Sequence, residues 1–176
     1  MGPRGLALVA VFIGSLLTPA LAAEFIETRP GVRQPFLYGP GNNAFASVIL
    51  LSGGNGRIGL KADSNDANSR NFLVRTRGLF RASGLNAATV DAPTDHRTAE
   101  GMSGAFRISA DHARDLDAVA AFLKAKYDMP VFLVGTSMGT ISAANAAARQ
   151  KEGIYAGVVL TSSVTGTSRK IGRAHV

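Results

Sequence analysis

The sequence predicts an α/β fold built on a doubly wound, mostly parallel sheet. Short apolar runs that are typical of buried strands alternate with longer stretches that carry apolar residues at helical spacing. Polar and glycine-rich segments follow the carboxyl ends of the strands, and in such sheets these are the segments that hold functional sites. The length of the chain, without the predicted N-terminal signal described below, suits one domain, although it is short for an α/β enzyme with a full sheet.

The chain opens with a predicted hairpin and then alternates strands with helices. The hairpin has strands at 25–28 and 33–38 on either side of a turn at Pro30-Gly31. Buried strands are then predicted at 47–51, 86–90, 130–134 and 157–161. Helices are predicted at 71–83, 109–127 and 140–149, and loops at 52–68 and 94–107. Right-handed crossovers between such elements give a parallel sheet that is covered on both faces.

The most informative motif is Gly135-Thr136-Ser137-Met138-Gly139, which has the form G-x-S-x-G and joins a predicted strand to a predicted helix. A serine at such a turn takes a strained conformation that pushes its hydroxyl out of the sheet, and glycines avoid collisions around it. The first helix amide, on Met138, is then free to donate to an oxyanion. The alternative interpretation is a glycine-bounded turn without chemistry, because short motifs also arise by chance.

A second glycine-rich loop follows the first predicted parallel strand, at Ser52-Gly53-Gly54-Asn55-Gly56. It lies at the same edge of the sheet as the turn at residues 135–139, here called the elbow, so the amide of Gly53 or Gly54 is predicted to pair with that of Met138 in an oxyanion hole. The alternative is a tight turn.

The same loop supports a competing hypothesis, because residues 54–59 fit the dinucleotide fingerprint G-x-G-x-x-G through Gly54, Gly56 and Gly59. A Rossmann-like dinucleotide-binding protein is therefore an alternative. Two observations count against it. The residues after Gly59 are polar and loop-like where a helix should begin, and Asp91 lies well beyond the usual spacing of about 20 residues.

Taken together, the hairpin, the segment SVILLSGGNG, the elbow VFLVGTSMGT and the order of elements resemble the α/β-hydrolase fold family over about residues 24–165. The chain also looks like bacterial members whose GTS-x-G elbow precedes ISAANAAAR. The resemblance implies an esterase-like or lipase-like serine hydrolase that cleaves an ester, thioester or amide through an acyl-enzyme on Ser137. A non-catalytic binding protein on the same scaffold is a further alternative.

In that family an acid and then a histidine follow the serine, and this sequence departs from the pattern. After Ser137 there is no aspartate, Glu152 lies in a predicted turn, and the remaining histidine is His175. The chain is therefore expected to be the N-terminal part of a hydrolase domain, truncated at its C-terminal end and inactive in this form.

Four upstream residues are weaker candidates for completing a triad. His96 lies in a loop on the correct edge of the sheet, together with Asp95. Asp91 ends a strand beside the elbow and is expected to anchor loop amides. His112 is expected to be a partly exposed structural residue in the first turn of a helix.

The two ends are predicted to lie outside the domain, which is assigned to residues 23–170. Residues 1–22 are typical of a secretory signal, with Arg4, a short apolar stretch and a small-x-small cleavage site, so the mature protein is expected to be periplasmic or secreted. An uncleaved membrane anchor is the alternative. Residues 171–176 back-translate to the start of a common sequencing adapter, so the natural protein is expected to continue; a natural basic tail is the alternative.

Composition narrows the classes of partner. The chain has 19 basic and 12 acidic residues, but the basic residues are spread out and do not alternate with aromatics, so nucleic-acid binding is not expected. It contains no cysteine, so disulfides play no part. No Cys, His and carboxylate cluster has metal-ligand spacing. We expect a small-molecule acyl substrate, no metal or organic cofactor, and no stable membrane association after signal cleavage.

Overall fold

A computed structural model describes residues 21–61, 70–150 and 153–164. The strands are β1 (Ala22–Arg29), β2 (Val32–Gly39), β3 (Ala46–Leu51), β4 (Leu85–Val90), β5 (Val131–Thr136) and β6 (Gly157–Thr161). The described helices are α1 (Phe72–Ala82), α2 (Gly104–Arg107), α3 (Ala110–Tyr127) and α4 (Met138–Arg149), and a 3-10 turn lies at Thr94–His96.

The six described strands form one mixed sheet in the order β1-β2-β4-β3-β5-β6. β1 and β2 form the predicted hairpin, and β2 runs antiparallel to β4. The remaining pairs, β3 with β4, β3 with β5 and β5 with β6, are parallel. This mostly parallel sheet with helical crossovers confirms the predicted fold class, and it brings the carboxyl ends of β3 and β5 side by side.

The central strands are buried on both faces, and their side chains alternate between two apolar layers. In β3, Ile49 and Leu51 join the layer that α3 and α4 cover, while Val48 and Leu50 join the layer that α1 covers through Leu73. The near-continuous apolar run of β3 follows from this two-sided burial. The sheet is thereby held rigidly under the loops at its carboxyl edge.

Local capping explains where the helices begin. Asn71 accepts a hydrogen bond from the amide of Leu73 at the start of α1, and Ser109 does the same for the amide of His112 at the start of α3. Gly84, at φ +81°, follows α1 in a conformation that side chains rarely adopt. The bounds of α1 and α3 agree with the predicted helices to within one residue, whereas α4 begins two residues before its predicted start at Thr140.

Two sequence expectations about the fold are wrong. The segment 94–107, predicted to be a loop, contains the 3-10 turn and α2, and α2 begins at a cap in which Ser103 accepts from the amide of Phe106. β6, predicted to be buried, leaves Val158, Val159 and Leu160 between 42% and 49% exposed. Within the described residues β6 pairs only with β5 and forms the edge of the sheet, so apolar composition alone did not bury it.

The predicted signal and tail fall largely outside this description. Residues 1–20 and 165–176 are not among the described residues, and β1 begins at Ala22, the last residue of the predicted signal. None of the described helices is long and apolar enough to span a membrane.

Candidate active site

The turn between β5 and α4 has the strained geometry that the G-x-S-x-G motif predicts. β5 ends at Thr136, α4 begins at Met138, and Ser137 between them lies at φ 52° and ψ −125°. A positive φ is uncommon for a residue with a side chain and is maintained only where the surrounding structure enforces it. Ser137 is exposed, unlike its neighbours Gly135 and Gly139. The turn therefore presents a serine side chain to solvent at the carboxyl end of β5.

The two glycines of the motif are required by close approach of the backbone. A Cβ on Gly139 would lie 2.1 Å from the carbonyl oxygen of Leu51 in β3. A Cβ on Gly135 would lie 2.5 Å from the carbonyl oxygen of Gly139 in α4. Both distances are far below van der Waals contact. The prediction that side chains here would collide with the neighbouring strand and helix is confirmed.

Hydrogen bonds hold the elbow in place on both sides. The amide of Ser137 donates to the carbonyl of Thr161 at the end of β6, at 3.2 Å. The carbonyl of Ser137 accepts from the amide and the hydroxyl of Thr140, at 2.9 and 2.6 Å. As the first amide of α4, that of Met138 has no carbonyl one turn earlier within the helix to bond. It lies where the positive end of the helix dipole favours an anion.

The glycine-rich loop after β3 lies against the elbow through Gly53. A Cβ on this buried residue would lie 3.0 Å from the Cβ of Ser137 and 3.1 Å from the carbonyl oxygen of Thr136. The amide of Gly56 donates to the carbonyl of Gly53 at 3.2 Å and closes a tight turn. Gly54, at φ +59°, is exposed. The structure thus brings Gly53 to the serine, while donation to an oxyanion by Gly53, Gly54 or Met138 remains a prediction.

Asp91 anchors this loop, as the sequence predicts. The carboxylate is fully buried and accepts hydrogen bonds from the amides of Ile58, Leu60 and Ala92 at 2.7, 3.0 and 2.8 Å. It also pairs with Arg97 at 3.1 Å. Charge-assisted bonds to the amides of Ile58 and Leu60 fix the course of the loop after the glycines, so Asp91 has a structural role and does not form part of a triad.

The chain matches a known protein family over the region that contains the elbow. Residues 84–175, just over half of the chain, match the Hydrolase_4 family, which is described as serine aminopeptidase, S33. The chain belongs to this α/β-hydrolase family. The matched region includes β4, α3, the elbow and β6. No curated protein matches the sequence.

Solved structures show the same fold at low sequence identity. A cold-adapted esterase from an Arctic intertidal metagenomic library, solved with PEG bound, is 18% identical with a TM-score of 0.60, covering 86% of this chain and 65% of its own. A thermostable carboxyl esterase from Bacillus coagulans, in complex with glycerol, is 23% identical with a TM-score of 0.55, covering 80% and 44%. The Cif epoxide hydrolase from Acinetobacter nosocomialis is also similar, at 15% identity and TM-score 0.52, covering 80% and 38%.

The solved structures therefore establish the fold of this chain and leave the reaction open. Esterases and an epoxide hydrolase share the architecture, so fold alone does not identify the chemistry. The chain spans about two thirds of the first structure and less than half of the other two.

No helix begins within the described residues of the dinucleotide fingerprint and the two that follow it. Residues 54–61 contain no helix, and α1 begins at Phe72. Gly56 is explained by packing, because at φ +78° its Cβ would lie 2.1 Å from Met102 Cε and 2.8 Å from Arg107 Nη2. The described part of the glycine loop therefore lacks the helix N-terminus that usually binds the pyrophosphate.

Arg107 is a residue near the site that the sequence interpretation missed. Its side chain is about 1% exposed, and it donates to Ser142 Oγ in α4 at 2.8 Å and to the carbonyl oxygen of Gly54 at 3.0 Å. Burial lowers the pKa of its guanidinium to about 10, which leaves it charged at neutral pH. No carboxylate among the described residues pairs with it. Because Arg107 lies in a segment that was predicted to be a loop, the sequence interpretation did not expect it to be buried. The one signal in the sequence is that its apolar neighbours, Phe106 and Ile108, flank a charged residue.

The upstream histidines lie in a stack of rings and do not hydrogen-bond to Ser137 within the described residues. The rings of His96 and Phe106 have centroids 3.7 Å apart, and those of Phe106 and His112 are 5.0 Å apart. Asp95 is bound to Arg29 at 2.8 Å. These contacts give no support to a triad built from His96 and Asp95.

The expectation that His112 is partly exposed is wrong. It is fully buried under α2, and neither ring nitrogen has a hydrogen-bond partner in the described structure. Burial, reinforced by the nearby Arg107, lowers its pKa to about 3. His112 is buried because Phe106, a residue of α2, packs against its ring, and the sequence did not predict α2. His175, the remaining histidine of the prediction, lies outside the described residues.

Proposed function

We propose that the natural protein is a serine hydrolase that cleaves an ester, thioester or amide through an acyl-enzyme on Ser137. The observation that carries this proposal is the strained, exposed Ser137 at the start of α4 with Gly53 against it. Membership of the S33 α/β-hydrolase family and the likeness to esterases support it. A small-molecule acyl compound is the proposed substrate.

The proposed reaction has two halves. Ser137 Oγ attacks the substrate carbonyl while a base takes the hydroxyl proton, and the carbonyl oxygen becomes an oxyanion. The amides of Met138 and of Gly53 or Gly54 donate to this oxyanion, and the leaving group departs with the proton. Water then attacks the acyl-serine ester in the same way. The carboxylic acid product is released and the serine hydroxyl is restored.

The base and the acid that orients it are proposed to follow residue 170. None of the described histidines hydrogen-bonds to Ser137, and the chain spans 65% of one related esterase structure and 44% of another. We therefore propose that the natural reading frame continues, and we call its full product the extended protein. The genomic sequence after codon 170 tests this directly. A stop codon that follows the same six-residue tail would contradict it.

We also propose that the protein is exported. The composition of residues 1–22 supports a cleaved signal, and removing them would cost β1 only its first pair, Ala22 with Tyr38. Mass spectrometry of the protein from the periplasm or medium should show Ala23 as the first residue. An intact N-terminus in the membrane fraction would favour an uncleaved anchor.

The nucleophile is tested with a fluorophosphonate probe on the extended protein. An activated hydroxyl beside two oxyanion donors should attack the tetrahedral phosphorus centre, so peptide mapping should place the adduct on Ser137. Ser137→Ala should abolish labelling, whereas Ser142→Ala, five residues later, should still carry the adduct on Ser137 once the reaction has gone to completion. Resistance of the folded wild-type protein to the probe would contradict the proposal.

The glycine loop is tested in the same assay. A bulkier residue at Gly54 should slow labelling by disturbing the amide donors, and nucleotide binding should be absent. If the protein instead resists the probe, binds a dinucleotide and loses that binding on substitution of Gly56, the dinucleotide interpretation is correct.

A further inference from the structure

Arg107 is an unusual feature of this fold because it is a buried charge without a carboxylate partner among the described residues. Its side chain is about 1% exposed, and its Nε has no hydrogen-bond partner in the described structure. Burying a charge in this way is costly, and a neutral apolar side chain would avoid the cost. A residue that serves only to fill the core would not need a guanidinium.

The two groups that Arg107 contacts belong to the two halves of the predicted oxyanion hole. One terminal nitrogen donates to Ser142, which lies one helical turn after Met138 on α4. The other donates to the carbonyl oxygen of Gly54 in the glycine loop. The planar guanidinium fixes the spacing of its donors, so the two contacts set the separation of the loop and the helix.

We propose that Arg107 is a positioning residue that holds the glycine loop and the elbow helix at the separation which oxyanion binding requires. This inference rests on the proposed serine hydrolase function. By bonding the Gly54 carbonyl, Arg107 fixes the plane of the peptide between Gly54 and Asn55 and the backbone just after the amides of Gly53 and Gly54. Its charge also polarises that peptide in a buried setting, where such effects are strong.

The position of Gly56 supports this assignment independently. A Cβ on Gly56 would lie 2.8 Å from Arg107 Nη2, so the loop closes directly onto the guanidinium at a second point. The turn from Gly53 to Gly56 is therefore closed by the hydrogen bond between its two ends and held along its side by Arg107. The loop has little room to move without breaking these contacts.

The proposal is tested on the extended protein with Arg107→Met, Arg107→Lys and Ser142→Ala. Oxyanion donors act mainly in the transition state, so for Arg107→Met we expect fluorophosphonate labelling and kcat for an activated ester to fall about tenfold to hundredfold. KM should change less than about twofold. Arg107→Lys keeps the charge but not the planar fork, so its labelling rate and kcat should lie between those of the wild type and Arg107→Met. Ser142→Ala loses one contact and should slow labelling about threefold to tenfold.

Arg97→Met is the matched control, because Arg97 also contacts the loop, through Asp91 and the carbonyl of Leu60, but away from the two donors. It should lower kcat less than about threefold even where its loss of thermal stability equals that of Arg107→Met. Hydrogen exchange of residues 53–56 should rise in Arg107→Met and stay low in the control.

The outcomes separate this proposal from the function on which it rests. If the wild-type protein does not label at Ser137, the proposed function is wrong and the role of Arg107 falls with it. If the wild type labels and the folded Arg107→Met and Ser142→Ala proteins label as fast, only the positioning role is wrong. Should Arg107→Met fail to fold, Ser142→Ala decides the question alone. Equal losses of kcat in Arg107→Met and Arg97→Met would show a general role in stability and overturn the proposal.

Discussion

At the scale of single residues, the elbow depends on two contacts that leave no space for a methyl group. Gly139→Ala would force a Cβ to 2.1 Å from the Leu51 carbonyl oxygen, so we expect it to lower the free energy of unfolding by about 3 kcal/mol or more. Gly78→Ala is the matched control. Gly78 lies inside α1 with nothing within 4 Å of its Cβ position, so alanine should stabilise the protein by about 1 kcal/mol.

Denaturant unfolding of the two variants measures both effects. Tolerance of alanine at Gly139 without loss of stability would mean that the elbow and β3 are further apart than described. Destabilisation by Gly78→Ala would mean that α1 is packed there by a part of the protein outside the described residues.

The buried His112 predicts a pH dependence of stability. Its pKa is about 3 in the fold against 6.5 in the unfolded chain, because burial disfavours the charged ring. As the pH falls below 6.5 the unfolded chain takes up a proton that the fold rejects, so stability decreases until the pH reaches about 3. Above 6.5 both states are neutral and the effect vanishes.

His112→Leu isolates this effect in the extended protein. Between about pH 7.5 and pH 5, most carboxylates stay ionised and the loss due to His112 should be about 2 kcal/mol. The leucine variant should therefore lose about 2 kcal/mol less than the wild type over this range, measured by urea unfolding at each pH. Parallel pH curves for the two proteins would contradict the burial of a neutral His112.

At the scale of elements, periodicity and turn chemistry carried most of the prediction. The Pro30-Gly31 turn located the hairpin, the apolar runs located β3, β4 and β5, and Ser109 located the start of α3. The G-x-S-x-G motif predicted the strained turn and both close glycine contacts. These features are local, so neighbouring residues were sufficient to identify them.

The features that the sequence did not predict depend on contacts between distant segments. Arg107 is buried because the glycine loop and α4 close around it, and its partners lie 53 and 35 residues away. His112 is buried because α2 lies over it, and α2 is too short to leave a periodic pattern. β6 has the composition of a buried strand but lies at the described edge of the sheet.

The loop anchored by Asp91 carries its own prediction. Asp91→Asn replaces one acceptor oxygen with an NH2 group that cannot accept from the amides of Ile58 or Leu60. We expect a loss of about 2 kcal/mol of stability, because a buried amide is left unpaired, together with slower fluorophosphonate labelling of Ser137. Urea unfolding and the labelling rate measure the two effects. Unchanged labelling in a destabilised variant would show that the Asp91 anchor does not position the oxyanion donors.

At the scale of the whole molecule, an apolar surface continues from β6 onto the sheet face beside α1. Val158, Val159 and Leu160 are nearly half exposed, and Val159 lines a cavity of about 370 Å³ together with the apolar side chains of Phe45, Phe72, Phe80 and Phe132, among others. An exposed apolar edge strand is a template for pairing between chains. We expect the 176-residue chain to aggregate or to melt without cooperativity, as judged by light scattering and calorimetry. A sharp, cooperative melt from a monomer would show that these residues form a complete domain.

The most direct test of the central claim is to trap the acyl-enzyme. The extended protein should release a burst of product from an activated ester that equals the enzyme concentration, and acid quenching followed by peptide mapping should find the acyl group on Ser137. Ser137→Ala should show no burst, and the 176-residue chain should show no turnover, because the base is proposed to lie after residue 170. An acyl group on another residue, or undiminished turnover in Ser137→Ala, would contradict the account.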